Sequence, residues 1–345
     1  MDFSHQLAAR KSRRFVLQGA AALGVGAMAF GKLGAFEAAA AEDTLEVFSW
    51  WTSPGEAPAL QALFDAFTKA NPDVEIVNAA VSGGAGVNAR AVLLTRLQGN
   101  QPPDSWQVHV GRELIDNYVV AGYCEPITDL YESEGWLNAI PQGLIDQASH
   151  EGDQYSIPVG VHRGNGFFYN KQVLADAGVE IGETLSPDEF FAAAEKIKAA
   201  GKVPASLATK DTFAAAQTFE NVLLATVGPE NYAKLFKGEM AWDDQGVKDA
   251  AATYAKYLGY INEDHAALSW DQAMAMVIEG NAAFNSMGDW AYGEVVAKDA
   301  VDNIGWVSHP GTDGSFMLVV DSFTLPKDAP HPENAKGWLK AIGSV

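Results

Sequence analysis

Two adjacent indoles, Trp50 and Trp51, close a short apolar run, and a carboxylate, Glu56, follows just beyond them. Gln107 and His109 stand two apart in a second apolar run, so on a strand they share one face, opposite Trp106, Val108 and Val110. His162, Arg163 and Asn165 follow an extended stretch; Trp270, Asp289-Trp290 and Asp321-Ser322 each fall at the end of an expected element. Indoles present flat apolar faces, whereas Asp, Glu, Gln, Asn and His present planar donors and acceptors. A sugar ring carries the complementary surface, apolar C–H faces inside a rim of hydroxyls. Each of the nine tryptophans, taken alone, reads first as a core residue. Trp50 and Trp51 differ, because neighbouring strand residues point to opposite sides and cannot share one core.

Other chemistries find less support. Ser82-Gly83-Gly84-Ala85-Gly86 lacks the G-x-x-x-x-G-K-[ST] and G-x-G-x-x-G patterns that cradle phosphate, and reads as a tight strand-to-helix loop with close backbone approach. H-E-x-x-H, G-x-S-x-G and D-x-D-x-D-G loops are absent from the sequence, and one cysteine, Cys124, excludes an internal disulfide and cysteine-built zinc sites. Neither a metal nor an organic cofactor is implied, and no catalytic residue is assigned. Carboxylate pairs such as Asp243-Asp244 and Glu263-Asp264 read as solvated faces in so acidic a chain. Glu56 with Asp321 is the one pair that a glycosidase reading would use, at a separation the sequence does not fix.

The elements that would position these groups alternate. Strand Leu45–Trp51, helix Pro58–Ala70 (Leu60, Leu63, Phe64 and Phe67 on one stripe), strand Val74–Val81, helix Asn88–Leu97 and strand Ser105–Val110 form a β-α-β-α-β series. Short connections in such a series imply a parallel sheet with binding groups at the carboxyl ends of its strands. The second half is richer in helix: Pro187–Ala200, Phe213–Val227, Val247–Leu258 and Trp270–Glu279, with Gly201, Gly228, Gly259 and Gly280 as terminators. Tyr155–Val161 and Ile304–Pro310 read as extended segments crossing between two α/β lobes, which would give a hinge and a ligand cleft.

Charge and length bound the alternatives. The 345 residues carry 44 acidic and 23 basic side chains, a net −21 that disfavours nucleic acid and anionic lipid as partners. Residues 1–41 run the other way, with five basic residues (Arg10, Lys11, Arg13, Arg14, Lys32) against Asp2 and Glu37, a net +3 that leaves −24 on the remainder. Ser12-Arg13-Arg14-Phe15-Val16-Leu17, a mild apolar stretch to Phe30 and the small residues Ala38–Ala41 make a twin-arginine export signal cleaved near Ala41. The apolar stretch is shorter than the ~20 residues needed to span a bilayer. No cysteine near that site offers a lipid anchor, so the mature chain is expected free in the periplasm.

LEVFSWWTSPGEAPAL (45–60), VSGGAGVNARAVLLTRLQG (81–99), PPDSWQVHVG (102–111), GLIDQASHEGDQYSIPVGVHRGN (143–165), LSWDQAM (268–274), AAFNSMGDWAYG (282–293) and VVDSFTLPK (319–327), in this order, resemble the glucose- and mannose-type sugar-binding proteins of ABC transporters, within extracellular solute-binding family 1. The resemblance implies a two-lobed periplasmic binding protein fold: a lobe of 42–159 plus 310–345 and a lobe of 160–309, closing over a hexose for delivery to a membrane permease. It places the sugar contacts on Trp50 or Trp51, Glu56, Gln107, His109, His162, Trp270, Asp289, Trp290 and Asp321. It also implies that relatives continue for several dozen residues past the helix Asn334–Ile342, so a short second lobe and weaker binding are expected here. The reading is a monomeric, non-enzymatic sugar receptor; the alternative is a secreted glycoside hydrolase.

Overall fold

A computed structural model describes residues 43–83, 86–210 and 212–344; the export signal and its cleavage near Ala41 lie outside the described residues. Strand β1 (Thr44–Phe48) buries both faces: Leu45 and Val47 join a core with Leu60, Phe64 and Phe67, while Phe48 joins another with Ala89, Leu93 and Trp106. Helices Ala57–Ala70 and Val87–Gln98 supply those partners, so in the parallel set of β1, β2 (Glu75–Asn78) and β3 (Ser105–His109) the inner strands β1 and β3 are buried, while β2 is a largely exposed edge.

The sheet order is β2-β1-β3-β12-β4, with β4 at Cys124–Glu125 and β12 at Leu318–Pro326; β7 (Ser156–Arg163) pairs the other edge of β12. Between them, β5 (Ser149–His150) and β6 (Asp153–Gln154) make a small hairpin. The second sheet runs β11-β8-β10-β9, from Ile304–Ser308, Gly166–Asn170, Ala282–Ser286 and Val203–Ser206 respectively. Its core gathers Phe167, Phe190, Phe284 and Tyr257, with Phe167 and Phe284 stacked at 4.9 Å.

The chain passes from the first sheet to the second at Gly164-Asn165, straight from β7 into β8, as Tyr155–Val161 led one to expect. Ile304–Pro310 does not make the return. That segment is β11, an outer strand paired with β8 over five residues, and the turn through Gly311, at φ 81°, follows it. The return comes at Met317-Leu318. There Gly164 N–H donates to Met317 O at 2.7 Å, and Met317 N–H donates to Asn165 Oδ1 at 3.0 Å, so the two crossings are tied side by side. Asn165 Nδ2 also reaches Thr312 Oγ1 at 2.9 Å, which fastens the 309–317 turn to the second sheet's end of the crossing. Both crossing stretches are extended and alternate apolar with polar residues, so pattern alone does not distinguish an edge strand from a crossing one.

The helical half follows its period closely. Pro187–Ala199 starts on a Ser186/Glu189 capping box, and Trp270–Ile278 on a Ser269/Gln272 box. The run Thr212–Phe236 is broken at Gly228, whose φ of 75° interrupts the helix before Pro229 opens its continuation. Helix Pro332–Gly343 returns to the first sheet, where Trp338 packs on Phe323 at 5.3 Å, Phe64 at 5.6 Å and Phe67 at 6.1 Å. Among the described residues no helix is long and apolar enough to cross a membrane. Removing the fully buried Trp338 ring leaves a cavity among three aromatic neighbours. Trp338→Ala should lower unfolding free energy by about 3–5 kcal/mol, read from the urea midpoint. A loss under about 1 kcal/mol would mean that this helix is not part of the first core.

Candidate functional site

A cavity of about 1020 Å³ opens where the carboxyl ends of β1 and β3 face the second sheet. It lies at the upper end of the ~300–1,000 Å³ typical of small-molecule pockets. Trp50 and Trp51 reach it from the loop after β1, past the end of the strand alternation. Trp50 sits 5.2 Å from the His109 ring in one core, while Trp51 packs against that core and against a second, where it meets Phe323 edge-on at 6.4 Å. The glycine loop supports this arrangement. Gly86, at φ 91°, brings backbone so near the Trp50 ring that a Cβ there would lie 3.0 Å from it and 2.8 Å from Arg90 Nη1. The Arg90 guanidinium in turn lies 5.4 Å from the centre of the Trp50 ring.

Asp321 is the floor. It stands at a register shift in β12, between its pairing with Gly160 and that of Ser322 with Pro158. Such bulges re-aim side chains. Its Oδ1 accepts from Gln107 Nε2 at 2.7 Å. His109 Nε2 lies 3.6 Å from Oδ1 and His162 Nε2 lies 3.5 Å from Oδ2, so one carboxylate is flanked by two imidazoles. Each imidazole has a second carboxylate on its other nitrogen: Glu113 at 2.8 Å from His109 Nδ1, and Asp289 at 2.8 Å from His162 Nδ1. Arg90 closes one end at 3.4 Å from Glu113, and the Arg163 backbone N–H closes the other at 3.0 Å from Asp289. The result is a row of basic and acidic groups alternating across the cleft.

That row sets the protonation states. Burial would lower both imidazoles, but the hydrogen bond that His109 donates to Glu113 and the Asp321 charge hold His109 above its ordinary value, and Asp289 with Asp321 does the same for His162. Burial alone would raise Glu113 and Asp289, yet their histidine partners hold both below the ordinary carboxylate range. Glu56 behaves otherwise. Burial pushes its carboxyl up to about 7, against a hydrogen bond from Ser53 and with added repulsion from Asp321 and Glu294. Near neutrality it is therefore partly a neutral acid, able both to donate and to accept.

Eight of the ten residues singled out from the sequence line the cavity: Trp50, Trp51, Glu56, His109, His162, Trp270, Trp290 and Asp321. Gln107 and Asp289 stand one layer back. Gln107 is 1% exposed, accepts from Ser49 Oγ at 2.6 Å and Trp50 N–H at 3.1 Å, and spends its own amide on Asp321. Asp289 braces His162, whose ring meets Trp290 edge-on at 5.7 Å. Sequence reasoning missed Arg90 and Glu113, and also Tyr232, whose hydroxyl reaches Glu220 at 3.2 Å on the far wall. The four-residue interval from His109 to Glu113 was a readable signal, but it applies to helices and His109 is on a strand. Among the described residues no group of His, Cys, Asp or Glu is placed to hold a metal ion.

Because Glu56 holds its proton more tightly when folded, folding takes up protons between about pH 4.5 and 7 and stability falls as pH rises through that window. Glu56→Gln removes the cost of burying the anion. At about pH 8 the variant should exceed the wild type by on the order of 2 kcal/mol, and near pH 4 the two should coincide. Thermal melts across that range decide it: a constant offset would show that Glu56 is not titrating under burial.

The family model for bacterial extracellular solute-binding proteins matches residues 51–344. An uncharacterized ABC transporter extracellular-binding protein of Pyrococcus horikoshii is 38% identical over 301 residues, covering 87% of this chain and 68% of that protein. A probable sugar-binding periplasmic protein of Mesorhizobium japonicum is 33% identical over 299 residues, covering 84% and 69% respectively. Among solved structures, the bacterial solute receptor AcbH superposes with a TM-score of 0.76 at 23% identity, covering 88% of this chain and 76% of that one. A chitin oligosaccharide binding protein gives 0.75 at 22%, covering 86% and 77%. The fold is thus that of two-lobed periplasmic solute receptors, and the chain belongs to the bacterial extracellular solute-binding protein family.

Proposed function

We propose that the mature chain captures a sugar in the cleft outside the cytoplasm and presents it, unchanged, to the permease of an ABC transporter. The carrying observation is Asp321, an acceptor flanked by two imidazoles within a cavity that four indoles line. A sugar hydroxyl donates to Asp321 while the Nε2–H groups of His109 and His162 donate to its neighbours; Trp50, Trp51, Trp270 and Trp290 offer ring faces for C–H surfaces. Neutral Glu56 adds a group that suits either a hydroxyl or a ring oxygen. Relatives named as sugar-binding, including the xylose/arabinose-binding protein XacG of Haloferax volcanii at 28% identity, support this reading. AcbH, whose stated preference is β-D-galactopyranose, supports it through the fold.

The finer reading is a hexose such as glucose or mannose, bound by a monomer whose two lobes rotate about the paired crossings at Gly164-Asn165 and Met317-Leu318. No cofactor takes part, and the export signal places the process in the periplasm. Gln107 and Asp289 belong to this proposal as residues that hold Asp321 and His162 in place. A neutral Glu56 close to Asp321 is the one observation that favours the rival, a glycoside hydrolase.

Calorimetric titration of the exported chain with D-glucose, D-mannose, D-galactose and D-xylose tests the proposal. At least one should bind saturably with no change to the sugar, and Asp321→Asn should weaken it by about tenfold to a hundredfold, because the imidazoles lose their shared anion. Release of chromophore from aryl glycosides that Glu56→Gln abolishes would replace the receptor with the hydrolase.

A further inference from the structure

Beside the cleft, one seam joins segments that belong to different sheets. Gly55, which follows β1, donates its N–H to Oε1 of Glu294, which follows β10, at 2.8 Å. Two glycine backbones touch there. A Cβ on Gly55 would stand 2.6 Å from the Gly293 carbonyl carbon and 2.7 Å from the Glu294 nitrogen, and one on Gly293 would stand 3.1 Å from Gly55 O. Real side chains do not tolerate the first two distances, so Gly55 can bear no side chain unless the seam opens. Glu294 is 4% exposed and forms no part of the cavity wall. Among the described residues its carboxylate has no cationic partner within salt-bridge distance, and Gly55 N–H is the hydrogen bond it receives. A buried carboxylate in that position is costly to retain unless the bond it makes is used.

We propose that Glu294 is a positioning residue for ligand retention: from the second sheet it grips Gly55, and so holds the cleft shut with Glu56 fixed over the ligand. The lever is short. Glu56 is the next residue, and the turn that carries it is rigid, with Ala57 N–H on Ser53 O at 2.9 Å and Glu56 N–H on both Ser53 O and Oγ at 3.2 Å. Anchoring Gly55 therefore anchors Glu56. The groups facing Glu56 are Ser53 from its own turn, Asp321 from β12, His162 from β7 and Glu294 itself. The two crossings at Gly164 and Met317 leave the sheets free to rotate, whereas the Gly55–Glu294 bond exists only where the two segments meet. The seam thus distinguishes shut from open without touching the ligand.

The affinity arm of the test rests on the sugar reading; the scattering arm does not. The exported wild type, Glu294→Ala, Glu294→Gln and Gly55→Ala are compared by calorimetry with the best binder among the four monosaccharides, by sugar-free small-angle scattering and by thermal melting. Glu294→Ala and Gly55→Ala should bind about tenfold or more weakly, chiefly through faster release, with a larger radius of gyration. Glu294→Gln keeps an acceptor for Gly55 N–H and should remain within about threefold of the wild type. Removing the Glu294 charge should also shift the pH midpoint of binding downward in both Glu294 variants, which a purely structural role would not do. Wild-type affinity and radius in both Glu294→Ala and Gly55→Ala would overturn the proposal. Should the wild type bind none of the sugars, the sugar reading fails and an unchanged radius in both variants still overturns the seam.

Discussion

One buried carboxylate organises this molecule. Asp321 is 5% exposed, and a lone anion at that depth would be expelled or protonated. The Gln107 amide donates to it, and two imidazoles flank it, each held above its ordinary pKa by a carboxylate partner of its own. Gln107 and His109 come from β3 and His162 from β7, while the carboxylates behind the two imidazoles come from the segment after β3 and the turn after β10. The floor is thus built within the first sheet, with one brace, Asp289, reaching it from beside the second. A ligand in the cleft meets groups whose orientation is settled during folding, which lowers the ordering cost of binding.

The same economy governs the joint. Both crossings are extended, paired with each other, and buttressed by one asparagine, Asn165, that is fully buried. The floor sits on those strands, at Asp321 on β12 and His162 on β7, so the acceptor and one of its imidazoles are carried by the joint itself.

Much of the first lobe is legible because its periods are clean: Leu60, Phe64 and Phe67 fall on one helical stripe, whereas the strand ends at Phe48, short of Trp50 and Trp51, and Trp51 packs against the core that holds Trp50 as well as the other. The identity of the strand-end residues was legible for the same reason, since alternation puts Gln107 and His109 on one face. What alternation does not convey is depth. Phe323 of β12 pairs opposite Gln107 and Asp321 opposite His109, so the incoming strand brings Asp321 over Gln107 and turns it from a wall residue into a brace. Ile304–Pro310 passed for a crossing because an edge strand and a crossing strand share one pattern. Arg90 and Glu294 were silent because they act through contacts between segments that local spacing does not connect, while Glu113, four residues from His109, was hidden because that spacing is read on helices and His109 is on a strand.

The alternating row from Arg90 to Asp289 has a consequence for the solvent. Outside the first 41 residues the chain carries −24, and most of that charge is open to counterions. Within the cleft, opposite charges neighbour one another at 2.8 to 3.6 Å, far inside the ~10 Å over which 0.1 M salt screens. Seen from beyond that distance the row is close to neutral, and an uncharged ligand adds nothing to it. The surface and the cleft thus live in different electrolytes: changing ionic strength redraws the field around the molecule and leaves the floor of its cavity almost as it was.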